Sequence, residues 1–159
     1  MTIMTSARPL VLGLALSLAT LAGVSAASPG KGGQAVAQGA NYDAGVQAFE
    51  AHNYAEAVHQ LEIAIVANPK NPDSFFRLGQ SHRALGNYRR ALKYIRLALE
   101  IEPNHLAALK ERGIVLLEAG EPDEAKTALE RLGEMCDKAC PEYESLKKQV
   151  EAAPAKKDG

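Results

Sequence analysis

The chain has 159 residues, with 18 basic and 19 acidic side chains and a formal net charge of −1. That near-balance excludes a strong field for nucleic acid or anionic lipid, so no nucleic-acid partner is expected. Aromatic residues make up only 5% of the chain and tryptophan is absent, so alanine and leucine carry the apolar load, which suits closely packed helices rather than sheets.

In chain order, the first element reads as an address. Arg8 is the only charge before Lys31, the run from Pro9 to Val24 is apolar, and Val24, Ser25 and Ala26 supply the small residues a signal peptidase needs. Residues 1–26 are expected to be a bacterial signal peptide, cleaved after Ala26 or Ala27. The mature protein would then be periplasmic or secreted, with no membrane insertion after cleavage. The alternative is an uncleaved membrane anchor, since the uncharged run is just long enough to span. No cysteine follows the cleavage region, so nothing suggests a lipid anchor. Residues 27–40 are rich in Gly, Ala and Gln without apolar periodicity and read as a flexible leader. Residues 153–159 read as a disordered tail.

Between them runs an internal repeat of 34 residues. Gly45, Gly79 and Gly113 fall in step, as do Ala57, Ala91 and Ala125, and Leu61, Ile95 and Leu129. Tyr54 and Tyr88 share the register, as do Pro69 and Pro103. Turn signals at His52-Asn53, Gly86-Asn87 and Gly120-Glu121 divide each unit into two helices. In the second unit Phe75, Leu78, Gly79 and His82 recur at helical spacing, followed by Ala91, Ile95, Ala98 and Leu99. The small residues let antiparallel helices approach closely, so a bulky side chain there should overpack the contact by about 1–3 kcal/mol.

These residues resemble the tetratricopeptide repeat. Unit two matches its pattern as Phe75, Leu78-Gly79, His82, Ala91, Ile95 and Pro103. Unit one is looser at Asn41 and Ala44 but keeps Gly45, Tyr54, Ala57, Leu61, Ala64 and Pro69. Unit three keeps Leu109, Gly113, Leu116, Ala125 and Leu129 and departs at Arg112, Pro122 and Asp137. The resemblance implies an all-α fold, a right-handed α-α superhelix of three helix-turn-helix units. The domain would cover residues 41–152, with repeats at about 38–71, 72–105 and 106–139. Such repeats need a cap. The segment 141–151 supplies one, with Pro141 suited to a first helical turn and Tyr143, Leu146 and Val150 forming an apolar stripe. Seven helices are expected.

The resemblance further implies that the first helix of each unit lines a concave groove. The groove-facing candidates are Tyr42, Val46 and Phe49, then Phe76, Gln80 and Arg83, then Lys110, Ile114 and Leu117. Phe49, Phe76 and Leu117 are the expected partner anchors, since buried aromatics and arginine dominate binding energy. The competing reading has Phe49 and Leu117 facing a neighbouring helix. A variant of the family grips C-terminal carboxylates with Lys and Asn. Tyr42 and Val46 stand where its first Lys and Asn would be, so that clamp is expected to be absent.

Cys136 and Cys140 flank the only chemically loaded stretch, and three readings compete. The first is a disulfide stapling the last repeat to the cap, because Pro141 turns the chain at Cys140. The second is copper(I), for which two thiolates and the Met135 thioether are soft ligands. C-x-x-x-C-P resembles the metal loop of periplasmic copper chaperones, although the distant histidine those proteins add is not provided. The third is a pair of free thiols. His52, His59, His82 and His105 form no ligand pair or nucleophile–base arrangement, and no phosphate loop, haem site or nucleophile elbow is present. No cofactor and no catalytic residue is expected.

Three functions follow. The leading one is an exported, non-catalytic adaptor that holds a protein or peptide partner in the groove. The second is a redox or copper(I) accessory factor working through Cys136 and Cys140. The third is a self-assembling scaffold, a homo-oligomer in which Tyr143 and Leu146 form an end-to-end interface.

Overall fold

The computed structural model describes residues 31–153, with side chains from Gly39 onward. The described residues form seven helices and no strand: α1 (Lys31–Glu50), α2 (Tyr54–Ala67), α3 (Pro72–Ala84), α4 (Tyr88–Ile101), α5 (Leu106–Glu118), α6 (Pro122–Met135) and α7 (Pro141–Ala152). They pair as α1/α2, α3/α4 and α5/α6, each pair packing on the next, and α7 closes the stack against α5 and α6. This is the all-α architecture that the repeat implies. The expected signal peptide, the anchor alternative and the tail beyond residue 153 lie outside the described residues. α1 begins at Lys31 and so runs back into the segment read as a flexible leader. Its Ala and Gln residues are good helix formers, and no proline interrupts Lys31 to Glu50.

Local chemistry sets the helix starts. Asn53 accepts the Glu56 amide at 3.4 Å, Asn71 the Asp73 amide at 3.0 Å, and His105 Nδ1 the Ala108 amide at 3.2 Å. Pro72, Pro122 and Pro141 open α3, α6 and α7, where a missing N–H costs nothing. The three turns inside the units share one geometry. The amides of Asn53, Asn87 and Glu121 each donate back to Ala48, His82 and Leu116 at 2.8 Å. The residue before each is left-handed: His52 (φ 59°), Gly86 (φ 72°) and Gly120 (φ 80°).

The register residues build the core. Ala57, Ala91 and Ala125 are fully buried, and Gly45 and Gly79 lie where a Cβ would collide with a neighbouring side chain. An added Cβ on Gly45 would stand 2.6 Å from Leu61 Cγ, and one on Gly79 would stand 2.7 Å from Ile95 Cγ1. Unit three differs. The nearest atoms to a Cβ on Gly113 all belong to Leu146 of α7, and Leu129, the register partner, is only half-buried. The cap helix has pushed into the place the second helix holds in the other units. Leu146 is fully buried within its own chain, where it acts as a cap residue rather than as an exposed face for a second copy.

The turn into α7 also departs from the other inter-unit turns. Asp137 (φ 51°) and Lys138 (φ 58°) are both left-handed where proline stands after the earlier units. Cys136 and Cys140 are joined by a disulfide across this turn, with Cα atoms 5.7 Å apart.

Candidate interaction groove

The first helices α1, α3 and α5 lie side by side, α3 touching both neighbours. The α3–α5 seam is held by charge. Arg83 Nε lies 2.6 Å from Glu111 Oε1, and Arg83 Nη1 donates to Glu118 Oε1 at 2.8 Å. Gln80 Nε2 donates to Glu111 Oε2 at 3.4 Å, and Arg77 Nη1 donates to Gln80 Oε1 at 3.1 Å. Glu111 is 2% exposed, so its carboxylate is tolerable only because Arg83 and Gln80 meet it. Burial alone would weaken the charged form of Arg83. The Glu111 and Glu118 carboxylates outweigh it and raise the guanidinium above its ordinary value.

A second cluster ties α3 to the start of α5. His105 Nδ1 accepts the Ala108 amide, so the proton sits on Nε2 and faces Asp73 Oδ1 at 3.2 Å. The Phe76 ring packs on the His105 ring at 4.9 Å, with the Arg77 guanidinium 5.7 Å above Phe76. Deeper in unit two, His82 stacks on Tyr94 at 5.2 Å with planes 6° apart, and neither ring nitrogen has a protein partner. Desolvation, reinforced by Arg90 and opposed by Glu62, holds this imidazole below its ordinary value.

The nine expected groove residues divide into four groups. Tyr42 and Phe49 are half-buried and pack on the cluster of Ala57, Leu61 and Leu78, Phe49 meeting Tyr54 edge-on at 5.4 Å. Phe76 is only 7% exposed and belongs to the core, so it is a structural member of the groove floor rather than an accessible anchor. Gln80 and Arg83 are engaged in the charged seam. Val46, Lys110, Ile114 and Leu117 are partly exposed, Leu117 lying against the cluster of Leu116, Ala125 and Ala128. Lys110 makes no ion pair or hydrogen bond among the described residues.

Glu111, Glu118 and Arg77 escaped the sequence reading. A signal was available: Arg83 and Glu118 are one repeat and one residue apart with opposite charge, on helices the register makes neighbours. With the cysteines bridged, neither sulfur is a thiolate that could hold a soft metal. Among the described residues no group of three or more His, Cys, Asp or Glu could hold a metal ion. Nor is any helix among them long and apolar enough to cross a membrane.

Comparison with known proteins agrees with this geometry. The model of one family, described as anaphase-promoting complex, cyclosome, subunit 3, matches residues 50–132. No curated protein matches the chain significantly. Among solved structures, the second TPR domain of human RPAP3 in complex with an HSP70 peptide superposes with a TM-score of 0.68 at 18% identity, covering 75% of this chain and 98% of that one. The type III secretion chaperone SycD of Yersinia enterocolitica in complex with a YopD peptide gives 0.64 at 20% identity, covering 72% and 87%. The TPR2B domain of yeast Sti1 in its pHsp70 complex gives 0.67 at 16% identity, covering 73% and 97%. These likenesses carry the fold. With the family match across just over half of the residues and the 34-residue register that packs the helices in pairs, they show that the chain belongs to this tetratricopeptide-repeat family.

Proposed function

We propose that this protein is an exported, non-catalytic adaptor that holds a peptide segment of a partner protein in the groove lined by α1, α3 and α5. The observation that carries the reading is the set of side chains left partly exposed on those helices: Tyr42, Val46, Lys110, Ile114 and Leu117. The described core leaves them only half-covered, and they offer apolar area with one unpaired cation beside it. Similarly folded domains from RPAP3 and SycD are each solved with a bound peptide, and that of Sti1 in a pHsp70 complex, which supports the same use here. Tyr42 and Val46 favour an apolar segment over a carboxylate tail. Arg83 adds no free charge, because Glu111 and Glu118 consume it.

A photo-crosslinking amino acid placed at Val46 or Ile114 tests the groove. Adducts to one protein from both positions, and none from Glu62 on the exposed side of α2, are the expected result. Adducts that form equally from Glu62, or none from the groove positions in the native compartment, overturn it. Export rests on the apolar run before Ala26, and the Cys136–Cys140 bridge suits an oxidising compartment. The mass of the mature chain decides it: a new N-terminus at Ala27 or Ser28 supports export with cleavage, and an intact Met1 removes the cleavage reading.

A further inference from the structure

Arg112 is one of the positions where unit three breaks the repeat, since the same position one unit earlier is the fully buried Leu78. Arg112 sits about 160° around α5 from Lys110 and Ile114, so it leaves the groove and faces the opposite side of the helix. There, with Leu116, it lines a cleft of about 500 Å³ between α4, α5 and α6.

The cleft has an apolar floor and a basic wall. Leu92, Leu99 and Leu116 form the floor. Arg89, Lys93 and Arg96 stand at i, i+4 and i+7 on α4, one stripe about 10 Å long. Arg112 and Arg131 face it from α5 and α6. Only two carboxylates, Glu100 and Glu124, line the same cleft. Arg96 reaches Glu100 at 3.7 Å, an exposed pair worth little. Arg89, Arg112 and Arg131 make no ion pair or hydrogen bond among the described residues. A chain with a net charge of −1 has thus gathered five cations around one leucine-floored cleft.

Repeat packing does not impose this pattern. One unit earlier the stripe reads Ala55, His59 and Glu62, and one unit later Asp123, Thr127 and Glu130. The terminal segments are poor candidates to fill the cleft: residues 1–30 hold no carboxylate side chain, and Lys156 and Lys157 outnumber Asp158 at the other end. We propose that the cleft is a second binding site, separate from the groove, for an acidic peptide segment of a partner protein. Its aliphatic side chains would enter the floor of Leu92, Leu99 and Leu116, and carboxylates one helical turn apart would meet the arginines. The leucine floor favours such a segment over a sugar-phosphate backbone, which has no aliphatic side chain to place there.

The probe is a fluorescein-labelled peptide of about eighteen residues, long enough to form a helix on binding, built from Glu and Leu, with a Gln-for-Glu control and an oligothymidine of similar length. Binding is followed by anisotropy at about 50 mM salt, where exposed charge pairs are weakly screened. The acidic peptide should bind, and the Gln peptide should not. Arg112→Gln with Arg131→Gln should weaken binding about tenfold or more. Arg89→Gln with Arg96→Gln, both exposed, should act in the same direction without changing the thermal midpoint, which guards against misfolding of the first pair. Val46→Asp in the groove should leave binding unchanged, so failure of the groove reading and failure of this one are separable. Equal affinity for the Gln peptide, equal affinity for oligothymidine, or indifference to both arginine pairs would overturn the proposal.

Discussion

Leu146 holds against Gly113 the place that Leu61 holds against Gly45 and Ile95 against Gly79. The first two glycines meet the second helix of their own unit, whereas Gly113 meets the cap. A Cβ on Gly113 would lie 2.5 Å and 2.7 Å from the two Leu146 methyls. Leu146→Ala should cost about 2–5 kcal/mol, because the side chain is fully buried. Gly113→Ala should cost about 1–3 kcal/mol by overpacking. Combined, the two should cost less than their sum by about 1 kcal/mol, since the truncated side chain vacates the space the new methyl needs. Denaturant titration of the four proteins measures the coupling. Strict additivity would show that Leu146 is not the side chain Gly113 accommodates.

The charged seam predicts an asymmetry. Glu111→Ala should destabilise by about 2–3 kcal/mol, because it strips the nearer of two carboxylates from a partly buried Arg83 and opens a gap. Arg83→Met with Glu111→Leu should recover most of that loss, since neither charge is then buried without its partner. Thermal unfolding distinguishes the two. A double variant as weak as Glu111→Ala would mean that the pair is needed for packing shape rather than charge balance.

His82 makes stability depend on pH. Its folded value lies below the ordinary 6.5, so the native state resists a proton that the unfolded chain accepts. Its contribution is complete above pH 6.5 and erodes as pH falls from there through the lowered folded value. His82→Leu, which places the residue type of Leu116 at the equivalent position, should flatten that part of the stability profile. Chemical denaturation at a series of pH values reads it, and an unchanged slope in the variant would assign the dependence to other groups.

The bridge closes a short loop. Cys136→Ser with Cys140→Ser should lower stability by about 2 kcal/mol on the chain-entropy estimate. Dithiothreitol should do the same to the unaltered protein and nothing to the variant. A larger loss in the variant than on reduction would reveal a packing role for the sulfurs beyond the cross-link.

Much of the fold was legible because the repeat writes its helix contacts at fixed spacing. Gly45 with Leu61 and Gly79 with Ile95 meet as the register requires. The turns were legible too, since Gly86 and Gly120 name the left-handed position that His52 fills in unit one. The groove residues were less so. Phe76 reads as an anchor by its place in the repeat, yet its ring is covered by His105, a contact made between units at the start of the next helix. The displacement of Leu129 by Leu146 could not be read from periodicity, because α7 lies outside the register and its docking is decided by shape.

The two ends of the stack are unequally sealed. Among the described residues, the core at the N-terminal end narrows to Ala57, Leu61 and Leu78, and Val66 of α2 is 84% exposed. At the C-terminal end α7 plugs the last unit and a covalent staple holds its root. A linear stack opens where its boundary is weakest. Unravelling should therefore run one way, like a zipper with its stop at the bottom: the amides of α1 and α2 lose protection first, and those of α5 and α6 wait until the whole array has let go.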